Sequence, residues 1–241
     1  MLYLREASLV TTDPVLQALR KDGLLFPDIP DIARDFAIHG SYEQNLIAWV
    51  ASLVDSSTVF LDIGAHVGTY SLGVAPHCAA VHSFECSPKT FNYLCANIAL
   101  RDLYAKITPH RYALGSEAGT LPYYMHSPDG GGNSCLSFDR ASNHVNVEVR
   151  TLDSFHLENV GFIKIDVEGF EIEVLKGAVE TLKSNNYPRI LFESWRPERE
   201  AEGLPAIRLR TELFAYLEDE LGYTIHPVRN WDEMFIAEHK P

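Results

Sequence analysis

One stretch limits the possible folds of this chain more than any other: Val59-Phe60-Leu61-Asp62-Ile63-Gly64-Ala65-His66-Val67-Gly68-Thr69-Tyr70-Ser71. A short apolar run ends in an acid, passes through spaced glycines and enters a helical pattern, which reads as a strand, a tight loop and a helix start. In an open α/β sheet, ligands gather outside the carboxyl ends of the strands, where a helix start offers unpaired backbone N–H groups. The glycine spacing narrows the choice of ligand. A dinucleotide loop reads G-x-G-x-x-G so that backbone can approach a pyrophosphate at the second glycine, and here His66 holds that position. A Walker-type phosphate loop needs a longer spacing followed by lysine and Ser or Thr, and Thr69-Tyr70-Ser71 supplies no such lysine. What remains is Asp62-x-Gly64-x-x-x-Gly68, with a second acid, Glu85, closing the next apolar run, Val81-His82-Ser83-Phe84-Glu85.

From Thr58 onward, apolar runs alternate with helical patterns, which argues for right-handed βαβ crossovers and a parallel sheet. The spacing predicts strands over 58–63, 80–85, near 106–112, 162–166 and 189–193, with helices over 68–76, 88–100 and 171–179. Upstream, Ser41-Tyr42-Glu43-Gln44 has the form of a capping box before Leu46, Ile47, Val50, Leu53 and Val54 at helical spacing. A last helix over 207–221 ends at Gly222, and Tyr223–Val228 and Met234–Ala237 then lie close enough to pair antiparallel. Residues 119–151 interrupt the alternation. Val145-Asn146-Val147-Glu148-Val149 alternates cleanly, and Gly130-Gly131-Gly132 precedes it, so this piece reads as an inserted hairpin and candidate lid. Residues 1–40, broken by Pro27, Pro30 and Gly40, read as an N-terminal cap, leaving one domain over 41–241.

At 241 residues and 46% apolar content the chain can bury a core of ordinary α/β size. Cys78, Cys86, Cys95 and Cys135 form no C-x-x-C pair, so they read as reduced thiols, and cytoplasm is the expected location. The start lacks a signal-peptide pattern and no run approaches a membrane span, so no membrane contact is expected. A net charge of −13 disfavours nucleic acid as a partner and fits a small or neutral substrate better. The histidines show no H-x-x-x-H, which argues against a zinc site.

Asp62-x-Gly64-x-x-x-Gly68 followed by Glu85 resembles the nucleoside-binding half-site of class I S-adenosylmethionine-dependent methyltransferases. A longer set narrows the resemblance: Phe162-Ile163-Lys164-Ile165-Asp166-Val167-Glu168-Gly169-Phe170-Glu171 ending in Leu175-Lys176-Gly177-Ala178, with Thr151-Leu152-Asp153-Ser154-Phe155, Ala113-Leu114-Gly115 and Ile190-Leu191-Phe192-Glu193. Together these are similar to the FkbM family of methyltransferases over roughly residues 40–226. His66 stands where that family more often has Asn, and the Asn133-Ser134-Cys135 loop varies among its members. The resemblance implies a Rossmann-like α/β fold, its seven-stranded sheet mostly parallel with an antiparallel C-terminal strand and helices on both faces. It implies S-adenosylmethionine as cofactor, held by Glu43, Asp62, Gly64, Ala65, His66, Gly68, Glu85, Cys86, Ala113 and Asp166. It also implies methyl transfer to an oxygen of a small molecule, glycan or secondary metabolite.

Several acids need separate readings. Glu85 at a strand end can accept both ribose hydroxyls. For His66 two readings stay open: the ring lies over the methionine tail of the cofactor, or it bonds locally at the helix start. Glu171 falls in a first helical turn and reads as a dipole complement. Asp166, Glu168 and Glu193 are the catalytic candidates, Asp166 the leading base and Glu193 its partner on the adjacent strand end. Two converging acids repel unless one is protonated or a cation lies between them. By analogy with magnesium-using O-methyltransferases, Asp166 and Glu193 are possible Mg²⁺ ligands; without metal, Lys164, Arg196 or a backbone amide would satisfy one of them. A nicotinamide-dependent oxidoreductase, disfavoured by His66, and a cofactor-binding protein without turnover are the rival classes.

Overall fold

A computed structural model describes residues 43–125, 133–136 and 143–239; the cap read over 1–40, Ser41 and the glycines of 130–132 lie outside them. In chain order the elements are α1 (Gln44–Ala51), β1 (Val59–Ile63), α2 (Thr69–Val74), β2 (Ala80–Phe84), α3 (Pro88–Leu100), β3 (Ile107–His110), β4 (Ala113–Leu114) and β5 (Gly119–Tyr124). There follow β6 (His144–Arg150), β7 (Val160–Ile165), α4 (Glu171–Lys176), α5 (Val179–Ser184), β8 (Arg189–Glu193), α6 (Ala206–Ala215), β9 (Tyr223–Pro227) and β10 (Met234–His239).

A seven-stranded sheet runs in the order β3-β2-β1-β7-β8-β10-β9. Its first five strands pair in parallel, and β10 runs antiparallel to both β8 and β9. The chain leaves β1 toward β2 and β3 and later returns to β7 on the other side of β1. That reversal opens a crevice at the carboxyl ends of β1 and β7, the usual ligand position in a doubly wound sheet.

The central strands are buried on both faces, so they read as apolar runs rather than as alternations. Alternate residues nevertheless serve different layers. Leu61, Ile63, Ile163 and Ile165 join Leu175, Leu182, Phe192 and Leu213 on one face, while Phe60, Phe162 and Val81 join Val50, Leu94 and Ile98 on the other. Burying each such side chain contributes about 1.5–3 kcal/mol. Among the described residues no helix is long and apolar enough to cross a membrane.

Local chemistry fixes the helix ends and corrects some expected boundaries. α3 starts on Ser87, whose hydroxyl accepts from Thr90 N at 3.3 Å, with Pro88 in the first turn. α1 does not start on a capping box: Gln44 opens it after Glu43, which sits at φ 53 without a side-chain cap bond. The helix expected over 171–179 is two, broken at Gly177-Ala178. A Cβ on Gly177 would lie 2.0 Å from the Gly115 carbonyl oxygen, so the chain packs backbone to backbone there. Asp153, reaching from the 152–155 turn, accepts from Thr181 N at 2.7 Å and Glu180 N at 3.1 Å and thereby starts α5. The last helix changes to a π-turn over Tyr216–Glu220 before Gly222 at φ 72.

The interruption before β7 holds more than a hairpin. β5 and β6 pair antiparallel, and β4 adds in parallel on the other edge of β6, giving a second, three-stranded sheet. Ala113, Tyr123, Val147 and Val149 form its small core. Residues 133–136 fold back onto it through Tyr124 N to Ser134 O at 2.8 Å and Ser134 N to Tyr124 O at 3.2 Å.

Candidate active site

The glycine loop after β1 sits between the ends of β2 and β7. Gly64 N and Ala65 N both donate to Phe84 O, at 3.0 and 2.9 Å. A Cβ on Gly64, at φ 76, would fall 1.8 Å from Asp166 O, so the neighbouring strand alone forbids a side chain there. Gly68, at φ 94, faces Leu94, whose Cδ1 would lie 2.7 Å from an added Cβ. His66 takes φ 52, a left-handed conformation in which Asn, Asp and His are the enriched non-glycine residues.

Beneath the loop lies a buried charge network. Asp62 is fully buried; its Oδ2 accepts from Ser71 N at 3.0 Å and from the Ser71 hydroxyl, which also meets Ser83 Oγ. Lys164 Nζ lies 3.6 Å from Asp62 Oδ1 and 3.3 Å from Asp166 Oδ2, and donates to Gly64 O at 2.8 Å. It also sits 5.3 Å from the centre of the Tyr70 ring, whose hydroxyl donates to Glu43 Oε2 at 2.6 Å. Burial opposes the ammonium charge, but Asp166, Asp62 and Glu43 outweigh it and hold Lys164 above the usual lysine range. The lysine thereby links the loop's floor to the Asp166 strand end. Asp62 serves that floor and is closed to solvent, while Glu43 is drawn to the same end through Tyr70.

Glu85 Oε2 accepts from His66 N at 3.0 Å and Oε1 from Ser87 N at 2.8 Å. Burial pushes this carboxyl up to about 7 despite those two donors and Lys164. Each oxygen keeps a second lone pair for a further donor. The His66 ring, lowered to about 4 first by burial and then by Lys164, holds its Nε2 inside the protein with no hydrogen-bond partner among the described residues. Local bonding at the helix start therefore does not account for that nitrogen.

Across the reversal, the ends of β7 and β8 bring Asp166, Glu168 and Glu193 together, with one oxygen of each within 4.8 Å of the others. Glu168 stands at φ 56 before Gly169 at φ 92. That turn is held by Glu171, which accepts from Val167 N and Gly169 N, both at 3.1 Å. Glu171 is thus structural, as a clamp on the turn as well as an acid at a helix start. Glu168 Oε2 accepts from Trp195 Nε1 at 3.3 Å. Glu193 Oε2 is buried with no hydrogen-bond partner among the described residues, and burial, followed by Glu168 and Asp166, holds this carboxyl well above its ordinary range. Lys164 pairs with Asp166 but Arg196 turns away, to Asp232 and Glu233.

The small sheet roofs this crevice. Buried Tyr123 lies within electrostatic reach of both Glu85 and Glu168, and burial raises its phenol far above the usual range. Ser134 Oγ donates to Glu168 O at 2.7 Å. Ala113 packs inside the small core, with Cys86 against it. Sequence reasoning passed over Tyr70, Tyr123 and Trp195 as site residues and gave Lys164 only a secondary part. Lys164 carried a signal, a charge inside a strand otherwise apolar on both faces; the aromatic residues carried none, because their places depend on tertiary contacts.

Comparison with known proteins places this geometry in context. The chain matches the model of the methyltransferase FkbM domain over residues 62–225. It is 26% identical over 185 residues to the hexuronic acid methyltransferase AglP of Haloferax volcanii, covering 74% of each chain. Among solved structures, it resembles the FkbM methyltransferase of Methylobacillus flagellatus KT at TM-score 0.50 and 17% identity, with 93% of this chain covered; it spans only 58% of that protein. It also resembles the O-methyltransferase of Bacillus cereus in complex with SAH, at TM-score 0.54, 13% identity and coverage of 95% and 92%. At these identities the two structures speak to fold: the class I methyltransferase sheet.

Proposed function

The chain belongs to the FkbM methyltransferase family, and from that premise we propose that it moves a methyl group from S-adenosylmethionine to an oxygen of a small molecule, glycan or metabolite. One observation carries the reading: an acid suited to a ribose diol, Glu85, and a carboxylate cluster, Asp166, Glu168 and Glu193, flank a single reversal in the sheet. The hexuronic acid methyltransferase among the relatives supports a sugar-type acceptor, and the SAH complex of the Bacillus cereus enzyme supports the cofactor.

The residues fit the cofactor. Glu85 has free lone pairs for two hydroxyls, His66 Nε2 is an unpaired buried nitrogen at the loop, and Gly64 and Gly68 keep the loop free of side chains. When bound, S-adenosylmethionine supplies an electrophilic methyl carbon. The protein's part is to orient the acceptor and take its proton. Asp166 is already committed to Lys164, and Glu168 to Trp195, so both serve to position. Glu193, whose environment favours holding a proton, is the base in this reading, in place of Asp166. Holding an acceptor oxygen against a fixed methyl donor supplies much of the rate by orientation alone. The small sheet of β4, β5 and β6 is the roof of the site within one domain.

A second reading has a divalent cation between Asp166, Glu168 and Glu193, for which three oxygen donors and the orphaned Glu193 Oε2 are suited. Transfer of labelled methyl from S-adenosylmethionine to glucuronic-acid-bearing oligosaccharides and to a metabolite extract tests the activity. Glu193→Gln should lower turnover about 10²- to 10⁴-fold with little change in cofactor affinity. Full activity after exhaustive chelation supports the metal-free base. Loss with EDTA and recovery with Mg²⁺ overturns it in favour of the cation. No transfer to any acceptor, with binding intact, returns the chain to a binding role.

A further inference from the structure

Cys86 follows Glu85 directly at the end of β2, and Cys135 lies on the fold-back segment beside Ser134. Distant in sequence, both pack against the small core of Ala113, Tyr123, Val147 and Val149. There the two thiols share a side-chain hydrogen bond. Both are partly exposed, unlike Cys78, which is buried. We propose that Cys86 and Cys135 form a reversible redox pair whose disulfide ties the fold-back segment to the floor of the cleft beside Glu85.

The pair is polarised in a way that suits exchange. The bond with Cys86 holds Cys135 below the usual thiol range against burial and Glu85, whereas Cys86 is held well above it. Cys135 is therefore the first thiolate, and thiolates are the attacking species. With a low-molecular-weight disulfide such as oxidised glutathione as oxidant, Cys135 attacks one of its sulfurs, forming a mixed disulfide and releasing one glutathione thiol. Cys86 then loses its proton and attacks the Cys135 sulfur, and the second glutathione leaves. The protein gives up two electrons and two protons, and one glutathione disulfide becomes two thiols.

The position gives this tie a consequence, which rests on the cofactor reading above. Ser134 already holds the segment to Glu168 O at 2.7 Å on the acceptor side. A covalent bond at Cys86 would fasten its other side next to Glu85, spanning the crevice at both ends. Product exchange needs that span to move, and release steps of this kind limit turnover in many enzymes.

The test equilibrates the full chain in glutathione buffers of graded potential and maps peptides without reduction. A Cys86–Cys135 linkage, with the mass lower by two hydrogens, lost in Cys135→Ser, unaffected in Cys95→Ser and reversed by dithiothreitol, is the expected result. Persistent mixed glutathione adducts at either residue, or pairing of Cys86 with another cysteine, overturns the proposal. The second measurement is release of bound S-adenosylhomocysteine by stopped flow. It should slow on oxidation by on the order of tenfold in the native chain and not in Cys135→Ser. An unchanged rate despite the linkage overturns the tie across the cleft. Failure to bind S-adenosylhomocysteine in either redox state contradicts the cofactor reading and leaves the linkage result standing by itself.

Discussion

Lys164 holds a charge near the end of a strand whose Phe162, Ile163 and Ile165 are buried, and it has partners on three sides: Asp62, Asp166 and the Gly64 carbonyl. Removing one member of a buried ion pair leaves the other uncompensated, at a cost of about 3–5 kcal/mol. Lys164→Met should therefore lower the unfolding free energy read from urea titration by that margin, and adding Asp62→Asn should recover part of the loss. A second prediction concerns Glu85, held at about 7 by burial. Only the ionised form accepts from a diol without spending an oxygen on its own proton, so S-adenosylhomocysteine affinity should fall as pH drops below about 7. Glu85→Gln should weaken binding by about 1.5–3 kcal/mol, or roughly 10- to 150-fold, and remove that pH dependence. Calorimetry with an unchanged affinity in the variant, or a flat profile in the native chain, would remove Glu85 from the ribose site.

Elements whose neighbours lie close in sequence were legible from the residues alone. α3 over Pro88–Leu100 and β8 over Arg189–Glu193 fall where periodicity puts them, and the β9–β10 pairing follows from a short connection. The acids at the ends of β2, β7 and β8 were legible for the same reason, since a strand's carboxyl end can be read locally. What escaped was set by contacts between distant segments. The break between α4 and α5 exists because Gly177 must approach Gly115, and the β4 edge exists because β6 offers it hydrogen bonds. Lys164 facing Asp62, Tyr123 within electrostatic reach of Glu85, and Cys86 against Cys135 all depend on the same kind of closure. Glycine chemistry makes this testable. Gly64→Ala combines a positive φ with a Cβ 1.8 Å from Asp166 O, so it should cost more than the ~1–3 kcal/mol of backbone strain alone. Gly119→Ala meets nothing within 4 Å, and should stay within about 0.5 kcal/mol of the native chain. Equal losses in thermal melts of the two variants would contradict the close packing of the β1 and β7 loops.

Across the whole molecule, burial moves two sets of titrating groups in opposite directions. Glu85 and Glu171 rise from 4.5 to about 7, and Glu193 rises as well. From pH 4.5 to about 7 the folded chain thus keeps protons that the unfolded chain has released, so these acids make stability fall as pH rises. His66 and His110 drop from 6.5 to about 4, and burial lowers His82 too. Between pH 4 and 6.5 the folded chain binds fewer protons than the unfolded one at these sites, so the histidines make stability rise with pH. The windows overlap from pH 4.5 to 6.5, where the contributions oppose each other. The thermal midpoint of the ligand-free protein should therefore change little across that overlap and decline above it, where only the acids still titrate. His110→Phe discriminates this account from simple pH insensitivity. His110 stacks on Phe84 at 4.6 Å, so phenylalanine keeps the ring contact while removing one rising contribution. The variant's midpoint should fall with increasing pH through the interval where the native one is flat. A native curve that climbs or falls steadily there, or a variant curve parallel to it, would show that the buried acids and histidines do not balance. S-adenosylhomocysteine should lift the midpoint most above about pH 7, where Glu85 is ionised and the ligand's hydroxyls would add to the donations from His66 N and Ser87 N.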